Sequence, residues 1–523
     1  MKKRWQKWSL ALIASLLFSL GLALAPGLAG SHSAHTVDIT LIQANDIYEI
    51  GPVEGGKRGG MARVATVRKQ LLDQNPNTYT ILAGDAFSPS ALGTAEVDGE
   101  TLSGKQMVAV MNAVGFDYAT FGNHEFDISE SQFLHRLQES KFRWFSGNVT
   151  DTRGVAFKDV PQSIVFSVKG DRGPAVQMGL IGVTLNSNPA KYVKYRDPIK
   201  SARQQAQALR DRVDILIAVT HLTVEQDREL AAAVPEIDLI LGGHEHENIQ
   251  QWRLVDKPKL FTRCSTSETP IFKADGNART LYIHHLHYDT KKHCLKLESH
   301  LQPITDKISE EPETAKVVEK WTELAFKSFR AKGFEPKKVI ATTTEALDGR
   351  EVSVRNYPTN LTNLIAQAML QTVDGANLAL FNSGSIRIDD QLPPGEIKEY
   401  DVIRIMPFGG KIQAVEMQGD LLAQVLDQGK ANRGSGGYLQ MANVSQTQDS
   451  NEWLVEENPL DTKKKYRVAI NDFLMTGKEQ GLGFLTFQDS RVERLSKEGD
   501  EKDIRRALIQ ELQRSSQGSA SRN

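Results

Sequence analysis

The chain has 523 residues, of which 40% are hydrophobic, 24% charged and 7% aromatic, with a net charge of -2 and a mean hydropathy of -0.37. At roughly 100–200 residues per domain this is a two- or three-domain protein with ample core, and its apolar fraction and hydropathy exclude a disordered chain and a multi-span membrane protein. Near-neutral charge argues against a binder of nucleic-acid polymers, and two cysteines, Cys264 and Cys294, are too few for a disulfide scaffold or a Cys₄ zinc site.

The first element is a leader. Lys2, Lys3, Arg4 and Lys7 precede an apolar run over 10–25, and Gly27, Leu28 and Ala29 follow as small cleavage-site residues. This predicts a signal peptide over 1–29 and an exported protein, periplasmic or extracellular; an uncleaved anchor is the alternative, disfavoured by a run short for a span. In an oxidising compartment Cys264 and Cys294 are free to pair, but nothing in the sequence fixes their separation. From 36 to 305, runs of Val, Ile and Leu alternate with helical stretches, as in a layered α/β domain.

A connecting helix is expected within 306–335, with Ser309 as N-cap, Pro312 in the first turn, and Val317, Val318, Trp321, Leu324 and Ala325 on one face. A second, smaller α/β unit follows over 336–514, with a helix at 361–371 and strands at 378–381 and 468–470. The Ser/Gly/Arg/Asn stretch over 515–523 reads as a disordered tail.

Five apolar runs of the first domain end in groups able to bind metal. Asp46 follows the run at 39–44, Asp85 the run at 79–83, and Asn123 the run at 118–121; His221 closes the run at 215–219, and His244 and His246 follow the run at 237–241. Loops leaving strand C-termini of a layered sheet converge on one edge, so these side chains can share a site. Glycines beside Asp85, Asn123 and His244 suit tight turns or close backbone approach. Oxygen and imidazole donors without thiolate favour Mn, Zn, Fe or Co over a Ca or Mg site. Six donors fit two ions sharing a carboxylate, roughly 3.5–4 Å apart, which activate water and neutralise a phosphate. The His-x-His pair, read as strand, would put both rings on one face.

In this order the fragments resemble the signature blocks of calcineurin-like metallophosphoesterases; GNHEFD over 122–127 and LGGHEH over 241–246 are similar to the 5′-nucleotidase/UDP-sugar hydrolase family. The resemblance covers about 37–487. It implies a four-layer α/β/β/α metallophosphoesterase domain followed by a smaller α/β substrate-binding domain of the 5′-nucleotidase C-terminal type. It also implies a nucleotide substrate and two divalent or trivalent metal ions; no protein partner is predicted. Position by position, Asp85 is the bridging carboxylate, Asp46 and His246 hold one ion, and Asn123, His221 and His244 hold the other. His124 stabilises the transition state and protonates the leaving oxygen, oriented by Asp127, a pairing that also makes sense from the chemistry. Asp127 has a second reading as cap of the helix that follows.

Tyr48 stands where the family usually has a histidine ligand. Three roles are open to it: ligation, packing while water or Glu49 fills in, or a weak or missing first metal; a working site with altered metal preference is favoured. In the second domain, Arg350 and Arg355 resemble the substrate-facing arginines of the family. Asn382 and Arg387 belong to an Asn-Gly-Gly-Gly-(Ile/Val)-Arg-like block in which Ser383 and Ser385 replace glycines. Phe408 and Phe484 match the base-stacking pair, with Leu482 in place of the usual Asp. Two flat rings and forked guanidinium donors suit a nucleotide of broad base identity. The histidines at 284, 285, 287, 293 and 300 read as surface or structural residues of a strand pair.

Overall fold

The computed structural model describes residues 35–170, 173–187, 190–254, 268–447, 451–496, 499 and 501–520. The leader and Cys264 lie outside the described residues, while Cys294 stands in a disulfide.

Two six-stranded sheets build the first domain. One runs in the order Cys294–Pro303, Thr280–Asp289, Thr36–Ala44, Thr78–Ala83, Tyr118–Thr120 and Arg143–Trp144. The other runs Ser163–Val168, Val176–Thr184, Ile215–His221, Leu239–Gly242, Glu268–Lys273 and Ile249–Leu254. Side chains alternate across a strand, and the burial follows that period. Val37, Ile39, Leu41 and Ile81 meet Met178, Leu180, Ile217, Val219, Leu239 and Leu241 in a core between the sheets. The intervening residues pack outward: Ile42, Ala44 and Leu82 against helices Met61–Gln74 and Lys105–Val114, and Leu216, Ala218 and Ile240 against Pro198–Leu209 and Val224–Ala233. Strands apolar on both faces need cover on both, which gives the expected α/β/β/α order.

Thr36–Ala44, Thr78–Ala83 and Tyr118–Thr120 pair in parallel, with Ala44 opposite Leu82 and Ala83 opposite Thr120. Ile215–His221 and Leu239–Gly242 are likewise parallel, with Thr220 opposite Gly242. The loops that leave these strands therefore start at matching heights on one edge. The histidine-rich segment forms the antiparallel pair Thr280–Asp289 and Cys294–Pro303. His284 there is fully buried, bonded to Gln43 and Ser299.

The connecting helix runs over Pro312–Ala331 and is capped by Glu311, not Ser309. Glu311 accepts the Thr314 amide at 2.8 Å, because a proline at the first helical position fixes the start directly behind it. Phe326 and Phe329 of this helix are buried, and Phe326 packs on Tyr400 of the second domain at 4.8 Å between ring centroids.

In the second domain the main sheet runs Leu439–Ala442, Leu378–Asn382, Lys465–Asn471, Lys411–Gln418 and Val492–Arg494. Helix Asn360–Thr372 covers one face through Ile365 and Met369, and Gly419–Ala431 covers the other through Leu422 and Val425. The last helix, Ile504–Ala520, runs through most of the segment expected to be disordered. Buried Ile504, Leu508 and Leu512 anchor it, and extending an anchored helix needs no new nucleus. Among the described residues no helix is long and apolar enough to cross a membrane.

Candidate metal centre

The donors gather where those parallel strands end. Ligand atoms of Asp46, Asp85 and His221 all lie within 4.8 Å of one another, and the three side chains are buried. His221 Nε2 is 3.1 Å from Asp85 Oδ2 and 3.8 Å from Asp46 Oδ1. His246 Nε2 is 3.2 Å from Asp46 Oδ1, and the His244 ring stands edge-on to His221 at 5.3 Å. Asp46, Asp85, His244 and His246 have φ of 52°, 62°, 95° and 58°. Left-handed backbone at non-glycine residues costs about 1–3 kcal/mol each and persists where surrounding structure imposes it. His244 and His246 therefore do not share a strand face: the strand ends at Gly242, and both histidines sit in the following loop.

Close approach explains the glycines. A Cβ on Gly122 would fall 2.0 Å from Asp85 Oδ1, and one on Gly84, whose φ is +84°, would fall 2.5 Å from His221 Nδ1.

The cluster is braced from outside. Ala83 carbonyl accepts from His221 Nδ1 at 2.9 Å, which aims Nε2 at the aspartates. Asp46 Oδ2 accepts from the His244 amide at 2.9 Å and from Asn45 at 2.8 Å. Two buried residues that sequence reasoning did not assign hold the loops together. Glu125 accepts the amides of Asp85, Ala86 and Gly122 at 2.9, 2.6 and 2.5 Å. Its signal was an acid inside GNHEFD, beside the histidine that drew attention. Lys273 donates to the carbonyls of Leu222 and Gly243 at 2.5 and 2.8 Å and pairs with Asp227 and Glu245. It thus ties the loop after His221 to the loop before His244. A lysine closing the strand Glu268–Lys273 was its only mark.

Positive charge stabilises the carboxylates of the cluster. Burial alone would raise Asp46, yet His246 and His221 hold it well below the usual carboxylate range. Burial works against a charged His221, but Asp85 and Asp46 push it up to about 9; burial and the neighbouring His221 push His244 down to about 3. Asn123 Oδ1 is buried without a hydrogen-bond partner, a cost of about 1–3 kcal/mol, while His221 Nε2 faces the Asp85 and Asp46 carboxylates. An unpartnered amide oxygen, and an imidazole nitrogen beside two carboxylates, fit a metal ion of the Mn, Zn, Fe or Co class.

Tyr48 enters this cluster. Its hydroxyl donates to Asp85 Oδ2 at 3.0 Å and lies 3.4 Å from Asp46 Oδ1 and 3.0 Å from His246 Nε2. Burial, then Asp85 and Asp46, push the phenol well above its ordinary value. Glu49 does not fill in: it turns to the second domain, 3.6 Å from Arg404 and 3.3 Å from the Tyr400 hydroxyl.

Beside the cluster, His124 Nδ1 donates to Asp127 Oδ2 at 2.5 Å, and the His124 amide donates to Asp85 Oδ1 at 2.8 Å. Burial lowers the His124 imidazole, but Asp85 and Asp127 overcome it and the net shift is upward. Asp127 is not the helix cap. Ser129 is, in a capping box with Gln132.

Residues 39–248 match the model of the calcineurin-like phosphoesterase family, and residues 339–488 match that of the 5′-nucleotidase C-terminal domain. The chain belongs to the 5′-nucleotidase type of calcineurin-like metallophosphoesterases. Among its relatives is the trifunctional nucleotide phosphoesterase protein YfkN of Bacillus subtilis, 27% identical over 87% of this chain, which spans only 32% of that longer protein. Protein UshA of Yersinia enterocolitica is 25% identical, with 90% of this chain and 91% of the relative covered. The crystal structure of a 5′-nucleotidase precursor from Thermus thermophilus shares the fold, with a TM-score of 0.72, 22% identity, and 92% and 97% of the two chains covered. The protein is a metal-dependent phosphoester hydrolase.

The second domain of this phosphoesterase faces the metal centre across a cleft of about 890 Å³ lined by His244, His246, Arg279, Arg350, Arg355 and Asp389. Arg355 pairs with Glu351, and Arg350 with Asp348 at 2.8 Å. Arg387 is close enough to bear on the charge of His124, and its guanidinium carbon lies 5.9 Å from the Phe408 ring centre. Phe408 is 60% exposed and lines a second cleft with Asp127 and Ser129; Phe484 is 36% exposed. Asn382 is not brought to either cleft. It is 4% exposed, donates to Glu479 at 2.8 Å, and accepts from Ser385 and Asn471 at 2.7 and 2.9 Å. Ser383 donates to the Ser435 and Gly436 carbonyls, both at 3.2 Å. Leu482 is fully buried among Leu426, Leu474 and Leu485.

Proposed function

We propose that this phosphoesterase is an exported enzyme that uses two metal ions to release phosphate from nucleoside 5′-monophosphates. The observation that carries the reading is the opposition, across one cleft, of His244 and His246, which adjoin the buried Asp46, Asp85 and His221, and Arg350 and Arg355. Asp46 and His246 would hold one ion, Asn123, His221 and His244 the other, with Asp85 between them. Bound there, the ions would supply an activated water and positive charge against the phosphate. His124, with its proton affinity raised by Asp85 and Asp127, holds a proton for the departing nucleoside oxygen and offsets the charge that develops on it. Arg350, Arg355 and Arg387 offer forked donors to the phosphate oxygens. Phe408 and Phe484 offer flat faces to a base, at about 1–3 kcal/mol per stacked base.

A broader phosphomonoesterase is the second reading, favoured by the engagement of Asn382 inside its own domain, which leaves base recognition to stacking. Purified protein assayed with Mn²⁺, Zn²⁺, Co²⁺ or Fe, with and without chelator, on AMP, an aryl phosphate and a cyclic nucleotide tests both. The expected outcome is chelator-sensitive phosphate release fastest from AMP. Equal rates on AMP and the aryl phosphate select the broader reading, and no release with any ion overturns the enzyme.

A further inference from the structure

His246 is held from both sides by different domains. Its Nε2 lies 3.2 Å from Asp46 Oδ1 and 3.0 Å from the Tyr48 hydroxyl, inside the donor cluster. Its Nδ1 donates to Asp389 Oδ2 at 2.6 Å, a carboxylate 143 residues further along the chain. The second domain thus supplies the group that orients an imidazole of the first.

Asp389 is itself fixed by the interface. Its Oδ1 accepts the Glu351 amide at 2.7 Å, its carbonyl accepts from Arg279 Nη2 at 2.8 Å, and its φ of +39° is in the left-handed region. Asp390, next to it, extends the clamp. Its two oxygens lie 3.2 Å from Arg279 Nη2 and 3.3 Å from Arg404 Nη2, and it accepts the Glu54 amide at 3.3 Å. Arg279 also pairs with Glu54 at 3.0 Å. Arg279 and Glu54 belong to the first domain and Arg404 to the second, so the Asp389 carboxylate stays on His246 only while the two domains hold this contact.

A carboxylate that accepts one ring N–H of a histidine fixes the tautomer and presents the other nitrogen's lone pair; losing such a support typically weakens a metal site by about 10–100-fold. We propose that Asp389 is a positioning residue through which the second domain tightens metal binding at Asp46 and His246, so that metal occupancy and domain docking are linked. The proposal rests on the two-metal reading given above. Linkage is reciprocal: the factor by which docking tightens the ion is the factor by which the ion tightens docking.

The test is metal competition on the full chain, with Mn²⁺ and Zn²⁺ titrated against a chromophoric chelator. Asp389→Ala is expected to weaken one of two ions about 10–100-fold and leave the other unchanged. Adding Asp389→Ala to His246→Ala is expected to cause no further loss, which a merely structural role would not produce. Arg404→Ala, remote from the donors, is expected to weaken the same ion by a smaller factor. Small-angle scattering of metal-free protein is expected to change on metal addition in the unaltered chain and not in Asp389→Ala. Circular dichroism checks folding; if Asp389→Ala fails to fold, Asp389→Asn keeps the shape and is expected to show a loss of several-fold. Two ions bound as tightly by the variant as by the unaltered chain overturn the linkage alone. An unaltered chain that binds no ion overturns the two-metal reading with it.

Discussion

The two walls of the interdomain cleft are built differently. On the metal side Asp46, Asp85, Asn123 and His221 are buried, and the first domain braces them: Asp85 by the His124 amide, His221 by Ala83, and the loops by Glu125 and Lys273. On the other side the arginines rest on carboxylates of their own domain, Arg350 on Asp348 and Arg355 on Glu351, while Phe408, in the neighbouring cleft with Asp127, stands out in solvent. One wall is preorganised for charge and the other must exchange partners when a ligand arrives. Chemistry that stabilises a charged transition state gains from fixed groups, whereas a surface that accepts several bases gains from exposed, adaptable ones.

The largest expected effect breaks the rigid wall. His124→Ala should lower kcat about 10²–10⁴-fold while metal content, measured by elemental analysis, stays the same; a loss of metal would move His124 from chemistry to scaffolding. Its pH profile sharpens the point. A histidine held upward stays protonated to higher pH, so the alkaline limb of kcat should lie above the ordinary histidine range, and Asp127→Asn, which removes one raising charge, should shift that limb to lower pH.

On the adaptable wall, Phe408→Ala should raise KM for AMP by the equivalent of about 1–3 kcal/mol, or roughly 5–150-fold, with aryl phosphate turnover unaffected. Equal losses on both substrates would mean that the ring shapes the site instead of stacking on a base.

Tyr48→His exchanges a phenol that donates to Asp85 for an imidazole, and should raise affinity for one ion about tenfold in a chelator titration. Two tightly held Zn²⁺ per chain in the unaltered protein would show that Tyr48 does not weaken the site. The smallest effect on activity belongs to Asn382→Ala. It should leave KM within about twofold yet lower unfolding stability by about 1–3 kcal/mol, because it strands Glu479, Ser385 and Asn471.

Much of the first domain was legible in the sequence because its signals are local. A run of branched apolar residues ending in Asp, Asn or His marks both the strand and the donor at its exit, and Gly84 and Gly122 sit beside donors for a steric reason. The second domain was legible only through its resemblance to a family. Asn382 and Leu482 occupy motif positions, but which way each side chain turns depends on partners distant in the chain, such as Glu479, 97 residues from Asn382.

The sequence by itself determined which candidate donors close the apolar runs, their order and the alternation that makes two sheets with helices outside, since period-two burial and strand-end loops follow from covalent geometry. Tertiary structure alone decided that Glu125 and Lys273 join the ligand loops, that Glu49 turns to Arg404, and that Asp389 reaches His246. Those contacts link residues far apart along the chain, and a buried charge reveals its purpose only when the group that neutralises it is in view.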